Sequence, residues 1–285
     1  MKFSWVLAAC LLFPSPEMSA QQNTGALTGT PEAGIPFQLA NGFLIFVEGR
    51  IGPLHGLRFV LDTGATQSVV ARRIAERLAL PRQIGKVFNF DRYVTVERAT
   101  FPDVQVGALA AKNLPMMVGE LGNYSEFAES ADAIIGLDLL SRSKTLRIDY
   151  GARTVTFELS NDSGDARWSQ AKALTVRLLV QGRATRLVFD TGLQGILLYE
   201  DRLRKRFPEI RLEEYRGGVH VGHLRVNQAR LPGLLLGASE SAQTVFLIQG
   251  PSEGQLVGID GYLGIGALNA KLIEVDFEQS MLRWR

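Results

Sequence analysis

The sequence predicts an all-β protein built from two homologous β-barrel-like lobes, with only a few short helices. One observation behind this prediction is an internal repeat, in which three motifs of the first half recur in the second half. Another is a succession of short apolar stretches separated by turns rich in Gly, Pro and Asp. A βαβ arrangement with a parallel sheet is the weaker alternative, because several successive strands are separated only by turns.

The repeat is carried by two Asp-Thr-Gly tripeptides, each of which ends an apolar stretch. The first begins at Asp62 and the second at Asp190, 128 residues later. A segment of apolar residues followed by glycine, at residues 132–137, recurs with the same offset at residues 260–265, and residues 146–150 recur at 273–277 with a slip of one residue. Since three motifs keep their order and spacing, duplication of one structural unit is the economical explanation.

The elements follow the same order in both halves. In the first half we predict strands over residues 43–47 and 57–61, a turn at the Asp-Thr-Gly, a helix over residues 68–80, and strands over residues 87–90, 93–96 and 104–106. In the second half we predict strands over residues 174–180 and 186–189, a helix near residues 199–207, and strands around residues 219–226.

The first twenty residues have the order of a secretory signal. Lys2 precedes an apolar run that ends before Pro-Ser-Pro, and small residues follow up to Ala20. A disordered start to a cytosolic protein is the alternative. We therefore predict a signal peptide over residues 1–20, a flexible leader over 21–36, a first lobe over 37–160, a linker over 161–173 and a second lobe over 174–285.

The composition excludes several classes of chemistry. With 31 Lys and Arg residues against 29 Asp and Glu, the formal charge is +2, which gives no reason to propose nucleic-acid binding. The chain contains one cysteine and three histidines, so a disulfide framework and a thiolate metal site are excluded. Cys10 lies in the predicted signal, where Leu-Ala-Ala-Cys resembles a bacterial lipobox; a buried signal cysteine is the interpretation we favour.

The two Asp-Thr-Gly tripeptides have one evident chemical use. If a pseudo-two-fold axis relates the halves, Asp62 and Asp190 meet at that axis. Two close carboxylates cannot both ionise cheaply, so they share a proton, and one can act as a general base on water while the other acts as a general acid. The alternative is that both aspartates are turn-forming residues of a structural repeat.

At these residues the sequence resembles the retropepsin-like aspartic proteases, in a tandem, single-chain form such as bacterial exported members. The motifs that carry the resemblance are Leu-Asp-Thr-Gly-Ala at residues 61–65, Ile-Ile-Gly at 134–136 and their repeats. The resemblance implies an acid-protease fold, with Asp62 and Asp190 as the catalytic dyad. It also implies supporting roles for the two active-site loops, which comprise Thr63, Gly64, Ala65, Thr191, Gly192 and Leu193.

The resemblance further implies a β-hairpin flap over the cleft in each half. By position these flaps fall near residues 89–96 and 215–222. Tyr93, Tyr215, Gly217 and Gly218 are then candidates for substrate binding, with the two glycines suited to a mobile tip. Leu193 departs from the family pattern, in which Ala, Ser or Thr follows the second glycine.

These observations favour an aspartic endopeptidase that acts on peptide or protein substrates. The alternative is a weak or inactive protein of the same fold that binds peptides or a protein partner in the cell envelope, and a purely structural module of the envelope is a third class. No metal or organic cofactor, nucleic acid or transmembrane span is expected. We expect a monomer with an internal pseudo-dimer, exported to the periplasm or secreted, or else anchored as a lipoprotein through Cys10.

Overall fold

The computed structural model describes residues 9–10, 17–22, 34–89, 92–121, 131–159, 173–211, 213–221, 224–236, 239–249 and 258–285. The predicted linker lies outside these ranges except for its last residue. Within them the protein is mostly β-structure arranged as two barrel-like sheets, and the all-β prediction is confirmed. No helix among the described residues is both long enough and apolar enough to cross a membrane.

Up to residue 159, the residues that the structure describes form thirteen strands and two short α-helices. They are β1 (Ala9–Cys10), β2 (Glu17–Gln22), β3 (Ile35–Pro36), β4 (Gln38–Ala40), β5 (Leu44–Ile51), β6 (Leu54–Leu61), β7 (Val69–Ala71), α1 (Arg72–Arg77), β8 (Gln83–Asn89), β9 (Arg92–Val106), β10 (Leu109–Gly119), β11 (Ala133–Ile135), α2 (Leu137–Leu140), β12 (Ser143–Asp149) and β13 (Thr154–Leu159).

From residue 173 onward, the described ranges contain nine strands, an α-helix and a 3-10 helix. They are β14 (Thr175–Val180), β15 (Arg183–Asp190), β16 (Ile196–Tyr199), α3 (Glu200–Arg206), β17 (Glu213–Val221), β18 (Leu224–Leu236), β19 (Ser239–Ile248), β20 (Gly261–Gly264), the 3-10 helix Ile265–Leu268, β21 (Leu272–Asp276) and β22 (Met281–Trp284).

The two lobes have the same strand order. The first lobe runs β8-β9-β10-β7-β11-β6-β5 and the second runs β17-β18-β19-β16-β20-β15-β14. Each sheet also curls back on itself, through a β5–β9 pairing in the first lobe and a β14–β18 pairing in the second. The sequence repeat is therefore a repeat of topology, strand for strand.

The lobes are joined by one continuous sheet, in which β3, β13, β12, β21, β22 and β2 are neighbours in that order. At its centre β12 pairs antiparallel with β21, so that Leu146 lies opposite Val275. These two strands contain the two copies of the third repeated motif. Their pairing therefore places equivalent segments of the two lobes side by side. This geometry is what a pseudo-two-fold axis between the lobes requires.

Two predicted elements differ from the structure. The helix predicted over residues 68–80 is shorter, because Val69–Ala71 forms β7 and only Arg72–Arg77 is helical. Val69 and Val70 are β-branched and buried on both sides, which suits a strand paired with β10 and β11 better than a helix. The predicted leader is described only at its ends, which lie in β2 and β3 rather than in a flexible segment.

Candidate active site

Each Asp-Thr-Gly loop begins where a central strand of its lobe ends. Asp62 directly follows β6 and Asp190 is the last residue of β15. The repeated apolar segments brace these loops: Leu137 N–H donates to Ala65 O at 2.8 Å, and at the equivalent place Ile265 N–H donates to Leu193 O at 2.9 Å. Both loops are therefore held by main-chain hydrogen bonds from the motif that recurs with them.

The two loops meet face to face between the lobes. A Cβ on Gly64 would lie 2.4 Å from Asp190 Cγ, and a Cβ on Gly192 would lie 3.1 Å from both Asp62 Oδ2 and Asp190 Oδ1. Glycine is thus required at position 64, because any side chain there would collide with the opposite carboxyl group. The structure brings Asp62 and Asp190 together at one point.

Reciprocal hydrogen bonds of the two threonines lock the loops to each other. Thr63 Oγ1 donates to Phe189 O at 3.0 Å and accepts from Thr191 N–H at 3.1 Å. Thr191 Oγ1 donates to Leu61 O at 2.9 Å and accepts from Thr63 N–H at 3.0 Å. All of these groups are buried, so each hydroxyl satisfies one donor and one acceptor of the opposite loop.

Both carboxyl groups are fully buried, and burial is the largest cause of their raised pKa values. The pKa of Asp62 is raised to about 6, moderated by hydrogen bonds to its carboxylate that include those from Gly64 N–H and Ala65 N–H. The pKa of Asp190 is raised well above its ordinary value by burial and by the charge of Asp62. The pair therefore holds one shared proton over a range of pH.

The two aspartates differ in their main-chain donors. Asp62 Oδ1 accepts hydrogen bonds from Gly64 N–H at 2.8 Å and from Ala65 N–H at 3.2 Å. Asp190 Oδ1 accepts one from Gly192 N–H at 2.7 Å, whereas Leu193 N–H is directed to the Asp190 main-chain oxygen at 3.4 Å. Hydrogen-bond donors stabilise the ionised form of a carboxyl group. Asp62 is therefore the member of the pair that ionises more readily, and Asp190 is the member that keeps the proton.

Asp132 and Asp260, which precede the repeated apolar segments, have structural rather than chemical roles. In each lobe the carboxylate accepts a 2.8 Å hydrogen bond from a main-chain N–H, of Arg58 in the first and Arg186 in the second. Each also forms an ion pair with an arginine of the neighbouring helix segment, Arg73 or Arg206.

A hydrogen-bonded pair beside the first loop, formed by buried Ser68 and half-buried Asp138, is not indicated by the sequence. Asp138 Oδ1 accepts from the Ser68 hydroxyl at 2.6 Å, and its Oδ2 accepts from Ser68 N–H at 2.9 Å. Ser68 Oγ in turn accepts from Gly136 N–H at 3.0 Å, which ties the first loop to β11. The second lobe has Ile196 and Gly266 at the equivalent positions, so comparison of the two repeats gives no signal for this pair.

The predicted flaps correspond to two β-hairpins. The first joins β8 to β9, with Asn89 opposite Arg92, and Tyr93 lies next to its turn with half of its side chain exposed. The second joins β17 to β18, with Val221 opposite Leu224.

The prediction of a tip at Gly217 and Gly218 is wrong, because both lie inside β17. The register shifts between Tyr215 and Val219, so these glycines mark an irregularity in the strand rather than its turn. Gly222, at the end of the second predicted flap, lies outside the described residues, as do the side chains of β17, including that of Tyr215.

A duplicated β lobe that brings two Asp-Thr-Gly loops together, with a buried aspartate pair between them, defines the aspartic protease class of site. The family model "gag-polyprotein putative aspartyl protease" matches residues 47–142. This match covers the first lobe and confirms the resemblance to the retropepsin-like aspartic proteases. The family and the fold together point to a hydrolase of the aspartic protease class.

One solved structure to which the chain is similar is a retropepsin-like aspartic protease from Rickettsia conorii. The sequences are 19% identical, and the match covers 41% of this chain and 81% of that chain with a TM-score of 0.29. No curated protein matches this chain.

Proposed function

We propose that this protein is an aspartic endopeptidase that hydrolyses peptide bonds with a water activated between Asp62 and Asp190. The observation that carries the proposal is the buried aspartate pair held by the reciprocal threonine hydrogen bonds. Peptide or protein is the substrate, and the internal pseudo-dimer supplies both halves of the site within one chain.

The difference between the two carboxyl groups supports a division of labour. Asp62, with two main-chain donors on Oδ1, acts as the general base that removes a proton from the water as its oxygen attacks the peptide carbonyl carbon. Asp190, whose pKa is raised well above its ordinary value by burial and by the charge of Asp62, donates its proton to the carbonyl oxygen. The proton taken up by Asp62 then passes to the leaving nitrogen as the carbon–nitrogen bond breaks. At the same time a hydroxyl group of the tetrahedral intermediate returns its proton to Asp190, which leaves a carboxylic acid, an amine and the starting protonation state of the pair.

The test is peptide cleavage by the wild type and by Asp62→Asn and Asp190→Asn over a range of pH. Each substitution should lower kcat by about 10²–10⁴-fold, because it removes a proton acceptor or donor. The wild type should show a bell-shaped pH profile, rising as Asp62 ionises with a pKa of about 6 and falling as Asp190 ionises. Asp149→Asn, which alters a half-buried carboxylate at the end of β12 outside the two loops, is the matched control. Equal cleavage by wild type and Asp62→Asn would refute the proposal.

A second candidate function is peptide binding without catalysis, and Leu193 favours it. This residue stands where the first lobe has Ala65, it is buried, and its N–H does not reach the Asp190 carboxylate. The proposed peptidase has lost only one main-chain donor at this point, so we place binding second. Binding of extended peptides that the wild type never cleaves would reverse this order.

We also propose that the protein is exported, with a signal over residues 1–20, to the periplasm or the medium. The lipoprotein form anchored through Cys10 is the alternative. Cleavage after Ala20 would leave Gln21 and Gln22 of β2 opposite Arg283 and Trp284. The mass and N-terminal sequence of the mature protein decide between the two: a start at Gln21 supports the proposal, and a start at a lipidated Cys10 supports the anchor. An intact Met1 would refute both.

A further inference from the structure

The face of each sheet that carries the catalytic aspartate can be followed across four strands. Val188 lies two residues before Asp190 in β15, so both side chains point to the same face. Across the strands, Val188 lies opposite Tyr262, Tyr262 opposite Leu197, and Leu197 opposite Phe246. These four residues, the second row, run side by side next to the catalytic loop.

The packing confirms that the second row occupies a separate face. Its members form a buried cluster with Leu193, Tyr199 and the hairpin residue Val226. The alternate residues of the same strands, which include Leu187, Phe189 and Leu198, pack into the main core instead. The cluster therefore lies on the Asp190 face and extends from the catalytic loop to the second hairpin.

The first lobe has the same row in the same register. Val60 lies two residues before Asp62 in β6. Across the strands, Val60 pairs with Ile134, Ile134 with Val69, and Val69 with Met117. These four residues are the first row. The two rows are equivalent by sequence repeat and by strand pairing, so their side chains can be compared position by position.

The comparison shows a consistent difference in size. Only the valine of the central strand is the same in both rows; in the second row Tyr262 replaces Ile134, Leu197 replaces Val69 and Phe246 replaces Met117. Two flanking positions follow the trend, because Leu193 corresponds to Ala65 and Tyr199 to Ala71. Larger side chains thus pack beside Asp190 than beside Asp62, although the residues of both rows are buried.

We propose that the cleft is asymmetric, with the second lobe accepting only small substrate side chains next to the scissile bond and the first lobe accepting large apolar ones. This inference rests on the proposed peptidase function. In a peptidase with a pseudo-two-fold axis between the two aspartates, the residues on the two sides of the scissile bond lie against different lobes. Its substrates are peptides with a large apolar residue on one side of the bond and a small residue on the other.

Two tyrosine hydroxyl groups of the buried cluster add to this restriction. Tyr199 and Tyr262 place their hydroxyl oxygens 3.4 Å apart in the buried cluster, and the Arg202 guanidinium lies 4.9 Å from the centre of the Tyr199 ring. These contacts hold both rings in place, since moving either one would expose a buried polar group to an apolar surrounding. The second row is therefore a fixed wall that a large substrate side chain cannot easily displace.

The experiment profiles cleavage with two peptide libraries, each varied on one side of the scissile bond. The wild type should accept Phe, Leu and Met on one side and only Gly, Ala and Ser on the other. Leu193→Ala, which introduces the residue of the first lobe, should raise kcat/KM for Leu and Met on the restricted side by about tenfold or more, since each methylene fitted or excluded is worth about 10–200-fold. The preference on the other side should stay unchanged.

Two further variants keep the test decisive. Leu198→Val introduces the first-lobe residue Val70 on the core face of the same sheet, so it should lower stability without changing selectivity. If Leu193→Ala fails to fold, the reciprocal Ile134→Tyr should instead narrow the permissive side. Equal selectivity on both sides of the bond in the wild type, or a variant that changes both sides alike, would overturn the inference.

A failure of catalysis is distinguishable from a failure of the asymmetry. If the wild type cleaves no peptide, the proposed function is refuted, and binding of the same libraries to the wild type and to Leu193→Ala then decides the asymmetry. Binding limited to peptides with one large and one small central residue, and relaxed by Leu193→Ala, supports it. Binding without such a preference, or no binding at all, overturns it.

Discussion

At the scale of single residues, the two catalytic loops share the Asp-Thr-Gly sequence but differ in the hydrogen bonds that support them. The Asp138 carboxylate binds both the hydroxyl and the N–H of Ser68 beside the first loop only. In the second lobe a Cβ at Gly266 would lie 2.5 Å from Gln194 O, so no side chain fits there. Asp138 is therefore a positioning residue for Asp62 without a counterpart for Asp190.

Replacing Asp138 by alanine tests this role. Asp138→Ala leaves the buried N–H and hydroxyl of Ser68 without their acceptors, so we expect the free energy of unfolding to fall by roughly 2–4 kcal/mol. Asp138→Asn, which keeps one acceptor, should cost less and should restore most of the cleavage lost in the alanine variant. Urea denaturation at pH 7 measures the first effect and peptide cleavage the second. A cost no larger than that of Asp149→Ala at the end of β12 would contradict the role.

At the scale of elements, the sequence predicts the parts that are repeated and misses those that are not. Apolar stretches and turn residues that occur twice, or that are strongly patterned, predict some elements correctly. These elements are β6 and β15, the loops after them, and α3. The sequence predicts a helix where β7 lies, because Ser-Val-Val-Ala-Arg-Arg contains no turn signal that would end a strand before the helix. The burial of β7 on both faces depends on its pairing with β10 and β11. Such pairing is decided by tertiary contacts, which local sequence does not encode.

The same reasoning separates the predictable from the unpredictable parts of the site. Asp62 and Asp190 could be found because their motif is duplicated, and the meeting of Thr63 with Thr191 follows from the symmetry of that motif. The Ser68–Asp138 pair could not be found, since its partners are 70 residues apart and occur in one lobe only. The turn of the second hairpin was misplaced because Gly217 and Gly218 mark a register shift as readily as a turn.

At the scale of the whole molecule, several carboxyl groups in and beside the site are wholly or partly buried. Burial raises the pKa of Asp62 and of Asp138 to about 6, and it raises the pKa of Asp190 well above its ordinary value. A carboxyl group whose pKa is higher in the folded than in the unfolded protein binds more protons when folded, so its contribution to stability is largest at acid pH and declines as pH rises. The catalytic arrangement thus costs stability at neutral pH.

We therefore expect the free energy of unfolding to fall as pH rises from about 4 to about 6. This interval lies between the ordinary aspartate pKa of 3.8 and the raised pKa values of Asp62 and Asp138. Ionisation of Asp190 should lower the free energy of unfolding further. Glu97, whose pKa is lowered by its hydrogen bond to Arg72, acts in the opposite sense, but below its ordinary pKa of 4.5. Its contribution is lost in more acid solution and does not mask the decline.

Urea denaturation at half-unit steps of pH between 4.5 and 7.5, a range that spans the pKa values near 6, measures this dependence. Asp138→Asn should flatten the decline by up to roughly 3 kcal/mol, because it removes one titration that is shifted by about two units. Asp190→Asn should flatten it too, because it removes one titrating group and relieves the charge repulsion in the pair. Stability that rises between pH 5 and pH 7 would show that the buried carboxyl groups are ionised at no cost, and it would remove the basis for a shared proton at the site.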